Sequence, residues 1–284
     1  VDFSANINPL GPSQRGLDAL NAQLRYISHY PDATNDDVLN AIADTYGMDK
    51  HQIMVGNGAA ELLYAICRLP GYTGAFVPAP GFSEYKEALE ASKIPVRDIF
   101  YRPREDDNGK PYFEVPYLAL ETFAAELKGQ DGRIIVFLGN PNNPDGTLLD
   151  KDHIRTVASM LKDANSLLVI DESFIDFVGN DPLQDNEHSM RSLVNEFDNI
   201  IVVHSFTKFY AVPGLRIGAT FANETLITQL QQYIPSWSVN TLAQAYTKAA
   251  LNDVDYIKRT KQELNEERAF MYNALDALEG ITVY

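Results

Sequence analysis

One cysteine, Cys67, and one tryptophan, Trp237, stand among 284 residues. A single thiol permits no disulfide framework and no cysteine-built metal cluster, and it suits a reducing, cytoplasmic compartment. Histidine is scarce as well. His29, His51, His153, His188 and His204 are scattered, without a second ligand type at metal-binding spacing, so no metal site is expected. No apolar run approaches the ~20 residues of a membrane span, and no signal peptide opens the chain. Basic residues are outnumbered, 23 against 39 acidic, for a net charge of -16. Phosphate backbones reward a basic face, so nucleic acid is not expected as a partner.

What is present is enough to build a core. Hydrophobic residues make up 45% of the chain, and amphipathic segments alternate with short apolar runs. "NDDVLNAIADTYG" (35–47) reads as a helix with Asn35 as N-cap and Gly47 as stop; "AAELLYAICRL" (59–69) and "FSEYKEALEAS" (82–92) read as two more. The runs "GAFVP", "IPVRDIF", "RIIVFLGN", "SLLVIDES", "NIIVVHSF" and "LRIGATFAN" read as buried strands. This alternation predicts an α/β fold with a mostly parallel sheet flanked by helices. The Pro-, Gly- and charge-rich segment 101–116 reads as a loop or short excursion. Residues 1–30 read as an N-terminal arm and 31–235 as the large domain, while 236–284 form helices leading into a small C-terminal domain mostly lying further on. The chain begins without methionine and stops at "ITVY", a strand just beginning, so further chain is expected beyond it.

Three of the strand-like runs end in polar clusters of complementary chemistry. "RIIVFLGN" leads into "PNNPDG", "SLLVI" ends in Asp171-Glu172-Ser173, and "NIIVV" ends in His204-Ser205-Phe206-Thr207-Lys208. Ligands of open α/β sheets gather at such strand ends. A carboxylate, an asparagine amide and a lysine together suit one ligand, a pyridine aldehyde carrying a phosphate. Lys208 would condense with the aldehyde, Asp171 would keep the ring nitrogen protonated, and Asn143 would donate to the phenolic oxygen. "GNGAA" (56–60) puts Gly56 and Gly58 at the start of a helix, whose free N–H groups and positive dipole end suit the phosphate. Ser205, Thr207 and Arg216 add hydroxyls and a permanent cation. Each piece alone has an ordinary reading as a cap, a turn or a solvated charge. Their occurrence together in one chain is what carries the inference.

The motifs "NINPLGP", "YPD", "GNGAAE", "PAPGFSEY", "NPNNPDG", "VIDESFIDF" and "SFTKFYAVPGLRIG" cover residues 2 to about 220. Together they resemble the pyridoxal-phosphate enzymes of the aspartate aminotransferase fold, the histidinol-phosphate aminotransferase branch in particular. The resemblance implies pyridoxal 5'-phosphate as cofactor, with Lys208 its covalent partner and the group that moves protons on the substrate α-carbon. It implies Asp171 at the ring nitrogen, Asn143 at the phenolic oxygen and Phe82 on the ring face. The phosphate is assigned to Gly58, Ala59, Ala60, Ser205, Thr207 and Arg216. Tyr30 matches a tyrosine lent to the phosphate across a dimer interface, which implies a homodimer with shared sites. Asn6 and Asn8 of "NINPLG", with Trp237 and Asn240 of "PSWSVN", are the candidates for contact with a small phosphorylated amino-acid substrate.

Within that branch, "DFSANINPLGP", "DESFIDF" and "PSWSVN" resemble the threonine-phosphate decarboxylases of cobalamin synthesis. Phe174 stands where related aminotransferases usually carry tyrosine, and Asp145 where threonine is usual. The expected activity is decarboxylation of O-phospho-L-threonine; the alternative is histidinol-phosphate transamination. The α-carbon bond held perpendicular to the ring is the one that breaks, so contacts to the carboxylate decide between them. A carboxylate-binding arginine is expected beyond Tyr284.

Overall fold

A computed structural model describes residues 5–127, 132–180 and 183–284; the first residues of "DFSANINPLGP" therefore lie outside the described residues. Among the described residues, a seven-stranded sheet runs in the order β1-β9-β8-β7-β6-β2-β3. The strands are β1 (Ile53–Gly56), β2 (Tyr72–Ala79), β3 (Val96–Phe100), β6 (Arg133–Gly139), β7 (Leu167–Asp171), β8 (Ile200–Ser205) and β9 (Gly218–Ala222); β4 (Arg102–Glu105) and β5 (Pro111–Glu114) pair separately. The neighbours β3, β2, β6, β7 and β8 are parallel, whereas β9 runs antiparallel to both β8 and β1.

The central strands are β-branched and apolar on both faces, as a sheet covered on both sides requires. Period-two alternation sorts them. Ile200 and Val202 of β8 join one core cluster, Ile201 and Val203 the other. The first cluster packs against α2 (Asp36–Tyr46), α5 (Tyr117–Leu127), α6 (Lys151–Asp163) and α9 (Thr241–Leu251). The second packs against α3 (Gly58–Cys67), α4 (Glu84–Ala91) and α8 (Glu224–Gln231). Completing the chain are α1 (Gln14–Gln23), the single turn α7 (Phe206–Phe209) and the long α10 (Val254–Asp276).

Segment 101–116 is a short excursion built as an antiparallel ladder, Arg102–Glu105 against Pro111–Glu114. Two local expectations are corrected. "IPVRDIF" lies on the sheet edge, where only Ile99 of β3 is buried, so it is not a buried strand. Asn35 occupies the N-cap position of α2 in a left-handed conformation (φ 55°), but its side chain makes no capping bond; Asp36 and Asp37 complement the helix dipole instead. Gly47 does close α2 with left-handed φ 65°.

Candidate active site at the carboxyl ends of the strands

Register brings the polar clusters together. Gly139 pairs with Asp171, Asp171 with Val203, and Ser205 with Gly218, which in turn pairs with Gly56. The row through Gly139, Asp171 and Val203 and the row two residues further on, through Ser205, Gly218 and Gly56, thus close the same end of the sheet. Lys208 follows one turn later on α7, half-buried between the buried Phe206, Thr207 and Phe209. The Lys208 carbonyl accepts the Asn8 N–H at 3.1 Å, which ties this turn to the N-terminal segment.

A cradle for an anion forms where α3 begins. Asn57, at its N-cap, makes no side-chain cap, so the first-turn N–H groups of α3 remain open to an anion. Glycine allows the approach. A Cβ on Gly218 would lie 2.7 Å from Ala59 N and 2.8 Å from His204 O; one on Gly58, where φ is +82°, would lie 2.3 Å from Arg216 Nη2. The Arg216 guanidinium therefore rests directly over the start of α3, with Ala59 and Ala60 beside it. Arg216 itself holds a left-handed φ of 58° and donates from Nη1 to Pro213 O at 3.1 Å. Ser205 and Thr207 are buried, with their hydroxyl oxygens 2.7 Å apart. Helix N–H groups, two hydroxyls and one guanidinium make a donor set for a phosphate.

Asp171 is 6% exposed and accepts three hydrogen bonds: Ser173 N–H at 2.9 Å and Ser173 Oγ at 2.5 Å on Oδ1, and the Tyr85 hydroxyl at 2.9 Å on Oδ2. Burial, then the charge of Asp171, pushes the Tyr85 phenol well above its ordinary range, so it stays a donor. The Tyr85 ring stacks on Phe137 at 5.2 Å and meets Phe82 edge-on at 5.7 Å, linking the carboxylate to the exposed aromatic. Sequence reasoning missed Tyr85. Its place three residues after Phe82, on the buried face of α4, was the available signal.

The turn after β6 sorts its three asparagines. Asn140 donates from Nδ2 to Glu172 Oε1 at 3.0 Å and to His188 O at 2.8 Å, and accepts Leu149 N–H at 3.1 Å. Asn142 donates to Pro80 O at 3.0 Å and to Asp145 Oδ2 at 2.5 Å. Asn143 is left half-buried at the tip, before Pro144. Asp145 also accepts Thr147 N–H at 2.9 Å, so the acidic residue at this position closes the turn.

Placement of the remaining candidates is uneven. Asn6 is exposed. Asn8 is 4% exposed and its amide is engaged by Phe209 O, Tyr256 Oη and Thr260 Oγ1, each at 2.9 Å, and by Leu10 N–H at 3.0 Å. Asn240 caps α9 through Ala243 N–H at 2.9 Å and donates to Leu215 O at 2.9 Å. These bonds tie Asn8 and Asn240 into the scaffold. Tyr30, 81% exposed, meets Trp237 in a tilted ring contact at 4.8 Å. Phe174 is half-buried and stacks on Phe177 at 6.4 Å.

A family model, aminotransferase class I and II, matches residues 1–284. The chain belongs to that family. It is 33% identical over its whole length to an adenosylcobalamin biosynthesis bifunctional protein of Leptospira interrogans, of which it spans 31%. It is 33% identical to the threonine-phosphate decarboxylase of Salmonella typhimurium and 28% identical to the histidinol-phosphate aminotransferase of Bacillus pumilus, spanning 73% of each. Among solved structures, the histidinol-phosphate aminotransferase of Clostridium acetobutylicum superposes with TM-score 0.83 at 24% identity, over 97% of this chain and 77% of that one. The L-threonine-O-3-phosphate decarboxylase of Porphyromonas gingivalis does so with TM-score 0.78 at 25% identity, over 99% and 78%. Pyridoxal 5'-phosphate is the cofactor of this family. The cradle at Gly58 and Gly218, the acceptor-only Asp171 and the lysine beside them fit its phosphate, ring nitrogen and aldehyde. No helix among the described residues is long and apolar enough to cross a membrane.

Proposed function

We propose that this chain decarboxylates O-phospho-L-threonine to (R)-1-amino-2-propanol phosphate in cobalamin synthesis. Bound pyridoxal phosphate supplies an electron sink for the carbanion at the substrate α-carbon. Lys208 holds the cofactor covalently and returns a proton to that carbon. Asp171, braced by Tyr85 and Ser173, keeps the ring nitrogen protonated, and Asn143 donates to the phenolic oxygen. Phe82 covers the ring face. Gly58, Ala59, Ala60, Ser205, Thr207 and Arg216 hold the phosphate, and Asn6 and Trp237 border the substrate. We assign residues 31–235 to the cofactor domain, and a second copy of the chain lends Tyr30 to the site. In support, Tyr30 is exposed beside Leu24, Tyr26, Ile27 and Trp237, an apolar surface suited to self-association.

The observation that carries the decarboxylase reading is Phe174, a ring without a hydroxyl three residues after Asp171. The aminotransferases of this branch usually place a phenolic donor there. The 33% identity to the Salmonella decarboxylase supports the same choice against 28% for the Bacillus aminotransferase. Because that aminotransferase aligns over the whole chain, histidinol-phosphate transamination is the second reading.

The test supplies cofactor and O-phospho-L-threonine and identifies products by mass spectrometry, with and without 2-oxoglutarate. Aminopropanol phosphate and CO2 without a keto acid support the proposal. A keto product that requires the acceptor would transfer the chain to the aminotransferases.

A further inference from the structure

Trp237 holds a left-handed backbone, φ 62°, which a bulky side chain adopts only when its surroundings enforce it. Packing from below does not enforce it. A cavity of about 350 Å³ lies between the turn at residues 234–239, the start of α2 and β1. The tie runs sideways, to Glu61 in the first turn of α3. Glu61 Oε2 accepts the Asn57 N–H at 2.7 Å and the hydroxyl of Ser238, the residue after Trp237. One half-buried carboxylate thus joins the N-cap of the phosphate-cradle helix to a turn 177 residues away in sequence. By taking the Asn57 N–H, Glu61 also completes the capping that the Asn57 side chain does not provide.

We infer that Glu61 is a positioning residue: through Ser238 it clasps the Trp237 turn to the start of α3 and so fixes the wall against which substrate binds. The substrate part rests on the function proposed above; the clasp does not. Two hydrogen bonds on one carboxylate oxygen are directional, whereas the tilted ring contact of Tyr30 with Trp237 tolerates sliding.

Trp237 is the only tryptophan, so its emission reports this turn alone. Time-resolved fluorescence anisotropy is measured on the cofactor-free protein, then KM and kcat on the holoenzyme with O-phospho-L-threonine. Ser238→Ala and Glu61→Ala are expected to add a fast local component to the Trp237 decay. Glu61→Gln, whose amide oxygen still accepts both bonds, is expected to keep the slow decay. Loss of one such bond is expected to raise KM about five-fold with kcat little changed. Trp237 motion in Ser238→Ala and Glu61→Ala identical to wild type would overturn the clasp. A freed Trp237 with unchanged KM would overturn its role toward substrate. Wild-type protein that does not turn over phosphothreonine would refute the function reading, and the anisotropy comparison would still decide the clasp.

Discussion

Gly218→Ala tests whether the anion cradle depends on contact between α3 and β9. The added methyl would lie 2.7 Å from Ala59 N, 2.8 Å from His204 O and 3.0 Å from Gly58 C. Carbon contacts relax at about 3.5–4.0 Å, so the approaches are short by roughly 0.5–1.3 Å. All three atoms are backbone, so no flexible side chain can swing aside. Either the start of α3 lifts or the β8–β9 pairing opens, and overpacking of this kind costs about 1–3 kcal/mol. If α3 lifts, Ala59 and Ala60 leave the phosphate position, and cofactor affinity falls roughly ten- to a hundred-fold. Titration with pyridoxal phosphate, followed by absorbance, measures the affinity, and urea unfolding of the cofactor-free protein measures the strain. Gly109→Ala is the control: φ is +77° with nothing within 4 Å of the new Cβ, so it carries only the left-handed penalty, about 1–2 kcal/mol, and no change in affinity. Wild-type affinity together with an unshifted urea midpoint in Gly218→Ala would refute the reasoning.

Lys208→Ala should abolish the absorbance of covalently held cofactor while leaving the urea midpoint of the cofactor-free protein intact; retained colour and turnover would remove Lys208 from its role. Tyr30→Phe should weaken cofactor binding only in the dimer, so sedimentation and titration on one sample check it, and unchanged affinity in a dimer would count against shared sites. Asp176 is buried, which alone would raise its pKa, but His204 at 3.1 Å, with further help from Arg191 and Tyr46, holds it below the ordinary 3.8. A depressed folded pKa contributes stability that is complete above the unfolded value and is lost as pH falls through the folded one. Asp176→Asn should therefore destabilise by about 3–5 kcal/mol at neutral pH, with the deficit shrinking below about pH 4. Equal deficits at neutral and acid pH would contradict it. Burial pushes the Cys67 thiol to about 12, so a disulfide reagent should label it only after unfolding, and stoichiometric labelling of the folded chain would contradict its placement.

The strand ends were legible because chemistry is concentrated there: an apolar run that stops at Asp171 or Ser205 announces both a buried strand and a polar terminus. Strand direction was not. "LRIGATFAN" carries the same apolar signature whether parallel or antiparallel, and β9 proves antiparallel on both sides. The strand "IMVG" went unread because four residues are too few to show a period. The scaffold bonds of Asn8 and Asn240 were hidden for a different reason. An asparagine in a Gly/Pro-rich segment is equally a ligand donor or a cap, and only partners as distant as Tyr256, 248 residues away, decide which. Tyr85 escaped because its partner Asp171 lies 86 residues away.

The two adjacent carboxylates at the end of β7 show how the fold separates chemistry from bracing. Asp171 shares its strand face with Leu167 and Val169, toward α4 and Tyr85. Glu172 points the other way. Fully buried, it accepts from Asn140 Nδ2 at 3.0 Å, Met190 N–H at 2.5 Å, Ser189 Oγ at 2.7 Å and Arg191 Nη1 at 3.4 Å. One strand over, alternation does the same: Ser205 faces the anion cradle, while His204 turns to Asp176 at 3.1 Å and to Tyr46 at 3.1 Å. Arg191 completes this lower layer with its guanidinium 4.4 Å from the Tyr46 ring. Each strand end therefore supplies one residue to the site and its neighbour to a buried polar layer beneath it. A one-residue slip between β7 and β8 would exchange the two sets, placing the braced carboxylate in the site and leaving Arg191 buried against the wrong partner. The lower layer thus selects the register in which Asp171 and Ser205 share a face.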